Sequence, residues 1–319
     1  MSQKNGIATG YNKRKKQFIR RLVVVFCVIL FVTVAASFSI RFINTYRHAS
    51  TSISYLYEKW NDYDYAVVYD NSALILVEKP FNNAALTLHG YSAFFLALEE
   101  TNTSQAQTLL DEAINNIRVA LLNAKPKTFA QLEYMLGKAY FYKNSMSSYY
   151  YYADVAVQYL LRAQKDGYKA DDIPEFLGLS YAALGMTMES IASFTEALLV
   201  RESDLLLLSI AEQYYKAGQD MAAAQYLYRI SQDCKDERIL IKSHFLLGNI
   251  YTSQEKYAEA TQEFQTILEK NENNADAYYG IGVIYEKQGD VIKARSEWRK
   301  AIRIQSNHVE ALKKLAEYK

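Results

Sequence analysis

Two stretches of this chain align residue for residue at a constant offset of 34. His244, Leu247, Gly248, Tyr251, Ala260 and Phe264 recur as Tyr278, Ile281, Gly282, Tyr285, Ala294 and Trp298. A period of that length restricts a chain to an array of one supersecondary unit, because a lone copy cannot bury its apolar face. The spacing inside the unit says what the unit is. Bulky residues three and seven positions apart form a stripe along one helix, and Gly in that stripe lets a neighbour approach closely. Ala followed four residues later by an aromatic puts a small and a large group on one face of a second helix. The pattern predicts two interlocking helices, repeated. Only 3 Pro and 12 Gly in 319 residues agree with long helices joined by short turns.

The same slots continue upstream. Ile210, Ala211, Tyr214, Ala223 and Leu227 fill them around the turn Gly218-Gln219-Asp220, and Leu177, Gly178, Tyr181 and Phe194 do so around Gly185, with Ser190 in place of Ala. Leu136, Gly137 and Tyr140 begin another unit, whose second helix, with Ala156 and Leu160, follows an insertion of about seven residues. Two fainter units precede these. One has Gly90 and Ala93 with Ala113, Ile117 and Ala120; the other is degenerate, around Ala66, Ala73 and Pro80. At the far end, Val309, Leu312, Leu315 and Ala316 share a helix face, which predicts a polar-backed cap over residues 309–319. The expected division is a basic tail (1–21), a membrane helix (22–40), degenerate repeats (41–126), five repeats (127–308) and the cap.

The spacing W-x2-L-G-x2-Y…A-x3-F resembles the tetratricopeptide repeat (TPR), strongly over 130–308 and faintly from about residue 48. The Pro that commonly ends a TPR unit is absent from the last two copies, where Glu272 and Ser306 stand in Asn-containing turns. The resemblance implies an all-α solenoid of about seven helix–turn–helix repeats with a concave face for polypeptides. In the family the first helix of each unit lines that face. Carried over by register, this nominates Tyr134, Lys138, Phe141 and Tyr142, then Leu179, then Leu208, Glu212 and Tyr215, then Phe245, Asn249 and Tyr279. TPR domains that clamp a chaperone's C-terminal carboxylate use Lys, Asn and Arg on these helices, and that set is not repeated here. An aromatic groove suits a segment with hydrophobic anchors.

From Leu22 to Ile40 run 19 residues without a charge, about 28 Å as a helix and enough for a bilayer core. Seven basic residues and no acid precede them (Lys4, Lys13, Arg14, Lys15, Lys16, Arg20, Arg21), against Arg41 and Arg47 just after. The positive-inside rule then places the N-terminus in the cytoplasm and the repeats across the membrane. A cleaved signal peptide is the rival reading, with Ala35 and Ser37 as a small-residue site, but the leader is long and the run exceeds a usual h-region. Cys27 lies too early in the run to be a lipidated cysteine.

Beyond Arg41, 28 of the 36 Lys and Arg face all 35 Asp and Glu, so the body is acidic and nucleic acid is not an expected partner. Cys27 and Cys234 have no second ligand at metal spacing, and no metal, cofactor or disulfide framework is expected. Gly280-Ile281-Gly282 lies inside a predicted helix with no strand before it, so it fails as a phosphate loop. His48, His89, His244 and His308 are scattered, and acid pairs such as Asp171-Asp172 and Glu99-Glu100 fall at helix edges, where carboxylates complement the dipole or are solvated. No nucleophile–base set is evident. The run Ser147–Leu160, with four consecutive Tyr, reads either as a protruding patch for a partner or for self-association or, the preferred reading, as a long helix whose side chains cover neighbouring repeats. The expectation is a non-enzymatic, membrane-anchored scaffold or chaperone-like adaptor for protein or peptide partners. It looks like the bacterial inner-membrane TPR proteins of translocation and envelope assembly. The alternative is a component that hands a small hydrophobic solute to a transporter.

Overall fold

The computed structural model describes residues 52–147 and 151–318, which hold fifteen helices and no strand. The expected membrane helix at 22–40 lies outside the described residues. Among those described, no helix is long and apolar enough to cross a membrane. The chain divides into two compact units that meet in sequence at Asn123 and Ala124.

In the first unit, α1 (Ile53–Asn61) pairs with α2 (Tyr65–Glu78), and α3 (Asn83–Glu99) with α4 (Thr103–Leu122). Each helix starts at a residue whose side chain accepts an otherwise unpaired backbone N–H. Ser52 takes that of Tyr55, Asp64 that of Val67, Asn82 that of Ala85 and Asn102 those of Ser104 and Gln105. Leu56, Val68, Ile75, Ala85 and Leu88 form one core cluster.

The second unit contains five further pairs. They are α5 (Pro126–Ser145) with α6 (Ala153–Lys165), α7 (Ile173–Ala183) with α8 (Thr187–Val200), α9 (Asp204–Lys216) with α10 (Asp220–Asp233), α11 (Glu237–Ser253) with α12 (Tyr257–Lys270), and α13 (Ala275–Lys287) with α14 (Val291–Ile304). The last helix, α15 (Val309–Glu317), packs on α14. First helices also touch, α5 on α7, α9 on α11 and α11 on α13, so they form the inner layer of a solenoid.

The small-against-large code holds each pair together. A methyl group on Gly178 would sit 2.4 Å from the Phe194 ring, one on Gly248 2.7 Å from Phe264, and one on Gly282 2.3 Å from Trp298 Nε1. Where Ala211 replaces Gly, its core cluster holds Leu227 at the place of the aromatic, and the smaller side chain leaves room for the extra carbon. Turns within pairs close by one device. The N–H of Met186, Gln219, Lys256 and Asp290 donates at 2.9 Å to the carbonyl of Tyr181, Tyr214, Tyr251 and Tyr285, the tyrosines of the repeat signature. The residue before each donor has positive φ, Gly at 185, 218 and 289 but Glu255 in the third turn (φ 62°).

Two expectations are corrected. The helix expected from Ser147 does not include Tyr151 or Tyr152, because α6 starts only at Ala153. Tyr151 is 84% exposed ahead of it, and the Tyr152 N–H donates to Asn144 Oδ1 at 2.8 Å. In α15 only part of the predicted face is packed. Val309 is 69% and Leu312 44% exposed, while Ala311 is buried and Leu315 and Tyr318 pack near Trp298. The four residues repeat the stripe that a first helix turns toward its second helix, and no described helix fills that seat.

Candidate groove on the inner helices

The inner layer of Ala124–Lys319 carries the nominated residues. At its start, Tyr134 and Lys138, one turn apart on α5, converge on Asp172 at the head of α7. The Tyr134 hydroxyl lies 2.8 Å from both carboxylate oxygens, and Lys138 Nζ donates to Asp172 at 2.9 Å and to the Tyr134 oxygen at 3.1 Å. Lys138 also sits over the rings of Phe176 (4.8 Å) and Tyr134 (5.1 Å). Burial, and then the bond to Asp172, push the Tyr134 phenol well above its ordinary pKa. Phe141 and Tyr142 pack edge-on against Phe176, with centroids 5.0 and 5.9 Å away. This end of the groove is a cross-braced junction between two repeats. Asp172 stands at the N-terminus of α7, where a carboxylate complements the helix dipole, and it is not merely solvated, because its side chain is held by Tyr134 and Lys138.

Two repeats along, a cavity of about 330 Å³ opens across α9, α11 and α13. Its wall is Ile241, Phe245, Leu246 and Ile267, and its polar lining is Glu212, Lys242, Asn274 and Asp276. Phe245 and Glu212 are nominated residues; Ile241, Lys242 and Asp276 were missed. A cavity of similar volume stands at the matching place two repeats earlier, lined by Asp171, Asp172, Glu175, Ala197, Val200 and Arg201. Asp171, Asp172, Glu175 and Ala197 lie 70 positions before Ile241, Lys242, Phe245 and Ile267, so the two sites are register equivalents of opposite polarity.

Of the other nominated positions, Leu208 is 2% exposed and belongs to the core, beneath the groove. Leu179, Tyr215 and Asn249 are half-buried. Tyr279, also half-buried, lies against the His308 ring at 5.3 Å. His308 itself is buried, accepts the Ala311 N–H at 3.2 Å and faces Asp276 at 3.1 Å. The missed acids carried a signal in the register. They stand one turn before the residues nominated from the family pattern, or in the same slot, as Glu175 does.

The described histidines form local contacts, and one deserves a chemical test. In the first unit, His89 Nδ1 lies 2.9 Å from Ser72 Oγ, and its Nε2 lies 3.7 Å from Glu112, which accepts the Tyr69 hydroxyl. This is a serine, histidine and acid in sequence, but a nucleophile needs an open face. Ser72 is wholly buried and donates to the Tyr69 carbonyl at 2.9 Å. Burial lowers the His89 pKa. His244 pairs with Glu263 at 2.6 Å. Among the described residues no cluster of three or more His, Cys, Asp and Glu could hold a metal ion.

Comparison with known proteins agrees with this architecture. Residues 248–289 match the model "TPR repeat", and 275–308 the model "Tetratricopeptide repeat". The anaphase-promoting complex subunit CDC16 of Saccharomyces cerevisiae is 26% identical over 141 residues, 43% of this chain. The match spans only 17% of that protein's length. Among solved structures, the C-terminal part of a TPR repeat-containing protein from Cytophaga hutchinsonii superposes with a TM-score of 0.58 at 13% identity, covering 83% of this chain and 99% of that one. The APC/C hetero-tetramer Cut9-Hcn1 does so with a TM-score of 0.50 at 14% identity, covering 82% and 48%. The C-terminal part of the chain carries tetratricopeptide repeats, and its fold is that of a TPR solenoid.

Proposed function

We propose that this protein is a scaffold or chaperone-like adaptor that holds a polypeptide partner in the groove of its second unit. The observation that carries the reading is the cavity shared by α9, α11 and α13, where Phe245, Ile241 and Ile267 offer an apolar seat among scattered polar groups. The partial relative is, by its name, a subunit of a multiprotein complex, which accords with a scaffold. The apolar run at 22–40 and the basic residues before it support a single-pass anchor with the repeats outside the cytoplasm, in the inner membrane of a bacterium. In that place the partners belong to translocation or envelope assembly.

The test is photo-crosslinking in cells from a reactive residue at Lys242, at the cavity, against one at Arg299 on α14. The same identified proteins should be captured from Lys242 and not from Arg299. Equal capture from both, or none from Lys242, overturns the groove as the binding face.

A further inference from the structure

We propose that the groove selects an extended segment bearing a bulky apolar side chain and a basic side chain about six residues apart. This rests on the peptide-binding reading above and adds the partner's chemistry to it. Two register-equivalent cavities carry it. The α11 site is walled by Ile241, Phe245 and Ile267, and the α7 site presents Asp171, Asp172 and Glu175 around Ala197 and Val200. A segment lying along the inner helices meets both.

Charge decides what the α7 site accepts. Lys138 is already taken by Asp172, and Arg201, mostly exposed, pairs with Glu175 at 3.5 Å. Asp171 makes no ion pair among the described residues, so the site offers a cation an unspent carboxylate and opposes an anion. At the α11 site the single cation Lys242 shares the lining with Glu212 and Asp276. That balance rejects a terminal carboxylate, which needs several donors, and leaves the apolar wall as the attraction. Packed helices lie about 10 Å apart, and α9 touches α11 while α7 stands at least as far from α9, so the two repeats separate the sites by about 20 Å or somewhat more. An extended chain advances about 3.3 Å per residue, which gives the spacing of six.

The test is a cellulose-bound array of 13-residue peptides probed with the full chain. Each peptide has a Gly/Ser background, one Phe, and one Lys, Glu or Gln placed two to eight residues away on either side. Binding should peak for Lys at five to seven residues, about fivefold above Glu. The double variant D171N/E175Q should erase the Lys preference yet keep the signal from Phe, and F245A should lower every signal. Equal binding of Lys and Glu at all spacings, or a preference that survives D171N/E175Q, overturns the inference while leaving a Phe245-dependent groove. An array blank throughout overturns the peptide-binding reading as well.

Discussion

Glu133 sits on α5 with its side chain buried, one carboxylate oxygen without a hydrogen-bond partner, and Asp166 nearby. Burial, and then the neighbouring acid, push its pKa from 4.5 up to about 7, against a smaller opposing pull from Arg162. The unfolded chain releases this proton near the ordinary carboxylate value, so between about pH 4.5 and 7 the native state holds it more tightly. Stability therefore falls as pH rises through that window and levels off above it. Two and a half pH units at about 1.4 kcal/mol each set a ceiling of about 3.5 kcal/mol, and partial solvation of the carboxylate brings the expectation to about 2 kcal/mol. Glu133→Gln keeps the shape and removes the charge. It should match the parent at pH 5 and exceed it by about 2 kcal/mol at pH 8. Urea unfolding followed by circular dichroism, with hydrogen exchange of α5 and α6 amides as the local readout, measures the difference at each pH. Parallel stability–pH curves for parent and variant would refute a buried, proton-holding Glu133.

Three other outcomes follow from the same geometry. Gly282→Ala sets a methyl 2.3 Å from Trp298 Nε1 and 3.1 Å from the Ala294 carbonyl. Trp298 is wholly enclosed, so thermal unfolding should show a loss of about 2 kcal/mol. Glu255→Gly removes a side chain from a left-handed backbone position and should gain about 1 kcal/mol; a fall in melting temperature would contradict the turn geometry. His308→Ala deletes the acceptor for the Ala311 N–H and should cost α15 about 1 kcal/mol, seen as faster amide exchange there, with Asn restoring most of it.

The helix pairs were legible because their determinants are local and periodic. Gly178 with Phe194, Gly248 with Phe264 and Gly282 with Trp298 each announce an interlock from spacing alone. The groove was legible only through register, and less completely. Leu208 occupies a groove slot by count, yet its side chain belongs to the core, since position along a helix does not fix how deep a leucine sinks. Asp172 gave no periodic signal, because a brace between repeats depends on what the preceding repeat presents, here Tyr134 and Lys138. In α15 the spacing shows a stripe, but its exposure is not legible, because sequence shows which residues share a face and not whether a neighbour covers it.

The cross-brace has a mechanical meaning. Each helix of the second unit makes its contacts with helices one or two places away, so bending is distributed over separate junctions. Tyr134, Lys138 and Asp172 tie α5 to α7, and Lys314 and Tyr318 grip Glu286 at 2.7 Å to tie α15 to α13. Among the described residues, no polar bridge spans the inner faces of α9, α11 and α13. Polar cross-links thus brace the two ends of the strip, while the stretch that holds the apolar cavity is joined by packed side chains.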